Sequence, residues 1–234
     1  MHNVRIIFAK ELRSFFNSPI AYIIIIVYLL LAGWFFTQSL FLQNVASLRA
    51  VFELTPFLLL FFAPAITMRL VSEERKAGTI ELLLTKPIRD GEIITGKFLA
   101  AWALFAITLL PTLVYLLTIV VLGKVDPGPV IGGYVGLLLV AGGFLALGLV
   151  GSTLTENQIV AFIISFLIVF VLFLLDKVIA YLPGGLATVL EYLGIDYHFA
   201  NIARGVIDTR DLIYYISLIG FSLLIGTHFL ERRK

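Results

Sequence analysis

Six long apolar runs, at 20–36, 54–70, 98–122, 130–150, 159–175 and 212–230, leave this chain almost no way to fold in water. Each meets or approaches the ~20 residues that a helix needs to cross the hydrocarbon core of a bilayer. Lipid offers the backbone no hydrogen-bond partners, so only helices or a closed barrel can span it, and no period-2 alternation points to a barrel. The sequence therefore predicts an all-α membrane protein. At about −0.3 to −0.6 kcal/mol per Leu, Ile, Phe or Val near a helix centre, the uncharged run 159–175 inserts unaided. Only 14% of the 234 residues are charged and 60% are hydrophobic, where a soluble domain carries about 25% charged. Residues 1–234 read as a single membrane domain with no separate soluble part.

Six spans put both termini on one side, and the charges say which. Eleven Lys and Arg fall on the side of the termini, against five on the other: Arg49, Lys124, Lys177, Arg204 and Arg210. Arg69, near the inner end of its span, can snorkel to the interface. The positive-inside bias then predicts cytoplasmic termini. Residues 1–18 lack the pattern of a cleaved signal. Val4, Phe8, Leu12 and Phe15 share a helical face opposite Lys10 and Arg13, as in a helix lying in the interface plane, with Glu11 awkwardly at the apolar edge. Pro19 suits the first turn of the helix that follows. Residues 178–195 are also apolar, but Pro183-Gly184-Gly185 breaks the run and Glu191 charges it. A span there would also move Arg232-Arg233-Lys234 across the membrane. Residues 176–211 are therefore read as an external re-entrant or interfacial hairpin.

Several motifs suggest chemistry and fail on inspection. Gly91 to Lys97 has the GxxxxGK spacing of a phosphate loop, but Phe98 stands where a magnesium-holding Ser or Thr is needed, and no strand precedes it. Val171 to Asp176 imitates a strand ending in a magnesium-binding Asp, yet it is the end of the fifth span. Ser222 in Gly220-Phe-Ser222 raises an intramembrane serine hydrolase as an alternative, but no His on another span is available to activate it. His228 shares its helix, while His2 and His198 lie outside the bilayer core, where isolated histidines are expected at the surface or as caps. A net charge of +2 is too small for a nucleic-acid partner, and zero Cys with two Met leave no sulfur chemistry. No catalytic residue, metal site or cofactor is predicted. Gly132 and Gly136, in GxxxG spacing, and Gly142, Gly143, Gly148 and Gly151 permit close helix contact. Pro111 should kink the third span. Thr108, Thr112 and Tyr115 form an i, i+4, i+7 stripe on that helix, which either lines a cavity or satisfies freed carbonyls and packs the bundle.

One feature remains: Met68 to Pro87 is the only long charged segment between spans, it carries both signs, and it ends in a Leu triplet. It reads as a docking surface for a cytoplasmic partner that supplies energy. The chain resembles the permease subunit of a type-2 ABC (ATP-binding cassette) transporter. The likeness rests on Lys10-Glu11-Leu12 leading to Ser18-Pro19, on Pro64 to Arg69, on Glu73-Glu74 with Lys76 to Pro87, and on Gly96 to Ala101. Leu154 to Phe162, His198-Phe199 and Arg204 to Asp211 bring it nearest the gliding-motility-associated permease subfamily. The resemblance implies an amino-terminal elbow helix, six spans as one half-transporter, and a cytoplasmic coupling helix within 72–90, between spans 2 and 3. Glu73, Glu74, Gly78, Thr79, Glu81, Leu82, Leu83 and Leu84 are implied as ATPase-coupling residues. It further implies two copies of a cytoplasmic ABC ATPase, a second permease that is the same or homologous, and contact with membrane lipid. An extracytoplasmic auxiliary protein occurs with some relatives. The implied setting is the prokaryotic inner membrane and the implied direction is export, with substrate passing between two copies along the second and fifth spans. A passive channel or membrane scaffold is the rival reading.

Overall fold

The computed structural model describes residues 2–79, 88–123, 125–178, 192–206 and 208–232, and these are helical with short connections and no strand. The helices are α1 (His2–Asn17), α2 (Pro19–Phe41), α3 (Arg49–Thr67), α4 (Ser72–Lys76), α5 (Asp90–Leu109), α6 (Leu113–Leu122), α7 (Pro127–Leu154), α8 (Gln158–Val178), α9 (Ile195–Ala203) and α10 (Thr209–Glu231). Six helical stretches are long and apolar enough to cross a membrane: Pro19–Phe41, Arg49–Lys76, Asp90–Leu122, Pro127–Leu154, Gln158–Leu175 and Thr209–Glu231. The six-span, all-α expectation stands.

Local chemistry sets the helix starts. Ser18 is extended and Pro19 follows as the first helical residue of α2, where its missing N–H costs nothing. Asp126 accepts a hydrogen bond from the Gly128 amide ahead of α7, and Asp208 accepts one from Arg210 ahead of α10. Pro111 does interrupt the third span: a 3₁₀ turn at Leu110–Thr112 separates α5 from α6.

The centre of the bundle is α7, which packs against α3, α5, α8, α9 and α10. Its glycines are why. A Cβ on Gly132 would lie 2.1 Å from the Ile202 carbonyl oxygen of α9, and one on Gly148 would lie 2.4 Å from Thr67 Oγ1 of α3. Only a bare Cα permits those approaches. Trp102 of α5 donates its indole N–H to the Leu138 carbonyl of α7 at 2.8 Å. At the periphery, α2 and α6 turn Leu30, Trp34, Leu117 and Val121 outward, as suits a lipid-facing wall.

The inward line of α1 differs from the sequence expectation. Ile7, Glu11 and Phe15 are buried, while Phe8 and Leu12 are half-buried at its flank. Gly96 explains the shift: a Cβ there would stand 2.8 Å from Ile7, so the glycine draws α1 onto α5 along that line.

Candidate functional site

At the end of the bundle that carries both termini, four charges from three elements meet. Lys97 of α5 is fully buried, although it is a lysine in an apolar helix. Its Nζ lies 2.9 Å from Glu11 Oε1 of α1 and 2.8 Å from Glu74 Oε2 of α4. Lys10 Nζ donates to Glu74 Oε1 at 2.7 Å and stands 3.5 Å from Glu11 Oε1. Two ammonium groups and two carboxylates therefore balance. Burial alone would lower the Lys10 pKa, but the hydrogen bond and charge of Glu74 outweigh it and hold the ammonium above the usual lysine range. A balanced, hydrogen-bonded set is the form in which buried charge is tolerated. The GxxxxGK spacing is thus accounted for by packing: Gly96 admits α1, Lys97 ties it down, and Gly91 to Lys97 lie within α5 itself, which begins at Asp90.

α4 is latched to the rest of the bundle as well. Ser152 Oγ, near the end of α7, accepts from the Val71 and Ser72 amides at 3.1 and 3.2 Å and donates to the Met68 carbonyl at 3.0 Å. Arg75 donates to the Thr153 carbonyl at 2.5 Å. Among the coupling residues implied by resemblance, Glu74 turns inward onto Lys97, and Glu73 stands 3.4 Å from Arg69. Gly78 has φ +67°, a left-handed turn that suits glycine. Thr79 donates to the Glu74 carbonyl at 3.2 Å. Glu81, Leu82, Leu83 and Leu84 lie outside the described residues.

The polar stripe on the third span is occupied within one chain. Thr108 is buried and donates to the Leu104 carbonyl at 2.9 Å. Thr112 donates to the Leu109 carbonyl at 2.6 Å and meets the Tyr134 hydroxyl of α7 at 2.9 Å. Tyr115 donates to the Leu29 carbonyl of α2 at 3.2 Å and stacks on Phe36 with ring centres 4.8 Å apart. Sequence reading missed a different feature, an aromatic ladder along α3 and α8. Phe166 stacks on Phe162 and Phe170 at interplanar angles of 10° and 13°, and Phe61 meets Phe166 at 5.4 Å. Phe57 and Phe61 remain 48% and 46% exposed, so the ladder opens outward. The i, i+4 recurrence of Phe in the fifth run was its visible signal.

At the opposite end, His198 corrects the expectation of a surface or capping histidine. It is 3% exposed, with Nδ1 2.6 Å from Asp211 Oδ1, and its ring lies on Tyr214 at 4.0 Å. Nε2 stands 3.1 Å from the Tyr192 carbonyl, which can only accept, so Nε2 carries a proton. The pair fastens α9 to the start of α10. Tyr215 adds to this by donating to the Ile195 carbonyl at 2.9 Å. Of the external segment 176–211, residues 179–191 and 207 lie outside the described residues. Ser222 donates to the Leu218 carbonyl of its own helix at 2.7 Å.

The described residues thus form the bundle of a polytopic membrane protein, with the short charged helix α4 tied onto α1, α5 and α7 at one end. The sequence profile of the ABC-2 family transporter proteins matches residues 5–217, and the chain belongs to that family. It is an integral membrane permease of the ABC-2 type, a family whose members associate with an ABC ATPase and dimerise. No curated protein matches the chain.

Proposed function

We propose that this chain is one half of an ATP-driven exporter, with both termini in the cytoplasm of a prokaryotic cell and its ATPase a separate subunit. The observation that carries the reading is the Lys97 ion cluster. It joins α4, at the head of the docking segment, to α1 in the interface and to α5 in the third span. A displacement of α4 is then transmitted to α1 and α5 through these ion pairs. ATP binding closes a pair of ATPases, displaces the docking segments, and rocks two six-span halves between inward- and outward-open arrangements. The bias is set by how differently the ATPase engages the two states.

The two permeases are the same or homologous chains, facing each other across α3 and α8, with the exposed phenylalanine ladder as one wall of the path. Thr112 and Tyr115 brace the Pro111 break against α7 and α2, while Thr108 bonds back to Leu104 in its own helix. A lipid, polymer or hydrophobic compound suits such a wall. The likeness of Leu154 to Phe162, His198-Phe199 and Arg204 to Asp211 supports a reading nearest the gliding-motility-associated permeases.

The test is co-expression with an ABC ATPase from the same genome, followed by co-purification and ATPase assay in proteoliposomes. Leu83→Asp is expected to abolish co-purification. Glu11→Gln, which weakens the cluster without touching the docking segment, is expected to preserve assembly and lower cargo-stimulated turnover. Assembly and turnover unchanged in both variants would overturn the reading.

A further inference from the structure

Three of the five Lys and Arg residues that the charge pattern assigns to the outer side, Arg49, Lys177 and Arg204, line a single cavity of about 720 Å³. Outer-side cations are scarce in this chain, so their convergence from the starts or ends of α3, α8 and α9 calls for a reason. The cavity has the size of a small-molecule pocket, which runs about 300–1,000 Å³. Its floor is apolar, built from Phe52 and Pro56 of α3, Val130 of α7 and Phe199 of α9.

The rim is not neutral. Two carboxylates are present, and each is matched: Glu53 accepts from Arg49 at 2.7 Å and Asp196 from Lys177 at 2.7 Å. The Arg204 guanidinium, by contrast, is exposed and makes no ion pair or hydrogen bond among the described residues. Among the described residues one positive charge is therefore left over, above an apolar floor. The wall that presents it is built rather than loose. His198 and Tyr215 hold α9 to α10, Gly132 of α7 admits the Ile202 carbonyl, and Gly205, at φ +88°, turns the chain against Gly128 directly after Arg204.

We propose that this cavity binds an amphiphile with a single anionic head on Arg204 and an apolar body on the Phe52, Pro56, Val130 and Phe199 floor. A planar guanidinium is suited to a phosphate or carboxylate head, which it can grip through two parallel bonds. A free phosphate ion would leave the apolar floor uncovered. The same chemistry is offered by an anionic phospholipid of the outer leaflet and by an acidic lipid in transit. The inference rests on the orientation proposed above.

The full chain in nanodiscs, without its ATPase, is titrated with spin-labelled phosphatidylglycerol, with the phosphatidylcholine analogue, and with inorganic phosphate. Saturable binding of phosphatidylglycerol alone is expected. Arg204→Glu should weaken it by about ten- to a hundredfold, the usual worth of a charge-assisted hydrogen bond, while Arg204→Lys, which keeps the charge but loses the two-bond grip, weakens it less. Equal binding of the two lipids, or indifference to Arg204→Glu in a chain whose melting temperature is unchanged, overturns the proposal. Adding the ATPase and ATP separates the sources. Release of the bound lipid on turnover marks cargo, retention marks a resident lipid, and either supports the site. Because the chain has no Cys, Gln43→Cys labelled with a membrane-impermeant maleimide tests orientation separately. Labelling only from the ATPase side would sink the orientation and this inference together, whereas failed lipid binding with outside labelling sinks this inference alone.

Discussion

Lys97 is the residue on which the end carrying both termini is balanced, and removing its charge has a predictable cost. Lys97→Met leaves Glu11 and Glu74 facing each other with one lysine between them, and breaking a buried pair in this way costs about 3–5 kcal/mol. The expected result is a large drop in the melting temperature of the detergent-solubilised chain. Lys97→Met combined with Glu11→Gln should recover part of it, because one stranded carboxylate is gone; additive losses in the double variant would show that the pair is not coupled. The sequence marked Glu11 as out of place on an apolar edge, and Lys97 only as the end of a GxxxxGK spacing that fails as a phosphate loop. It could not show that they meet, because a contact across 86 residues depends on the way α1 folds back onto α5. His198 misled for a related reason: a lone histidine is unremarkable until the fold carries Asp211 to within 2.6 Å.

At the scale of elements, α4 is five residues long and has little stability of its own. It holds its place by borrowed bonds, chiefly those of Ser152. Ser152→Ala strands the Val71 and Ser72 amides in a buried setting, at about 1–3 kcal/mol. Amide exchange at those two positions should accelerate while exchange within α7 stays slow; unchanged protection at Val71 and Ser72 would show that the latch contributes nothing. The spans themselves were legible because lipid imposes one simple rule on the backbone. Their ends were less so, since α3 begins at Arg49 and α5 at Asp90, both outside the apolar runs. Helical hydrogen bonding continues past the hydrophobic boundary wherever caps such as Arg89 with Glu92 permit.

For the whole molecule, the outward phenylalanine ladder predicts where a second copy sits. With no native Cys, Phe61→Cys should cross-link copy to copy in membranes with a short bis-maleimide. Leu117→Cys on α6, exposed on a different helix, should not. Cross-linking at Leu117 and none at Phe61 would place the pairing face elsewhere. The two tryptophans also differ in setting: Trp34 projects 63% exposed from α2, while Trp102 is bonded to Leu138 inside the bundle. The protein therefore carries a pair of native optical probes with opposite surroundings. Brominated acyl chains should darken the emission of the first and spare the second, so any rearrangement that separates α5 from α7 can be followed by light without attaching a dye.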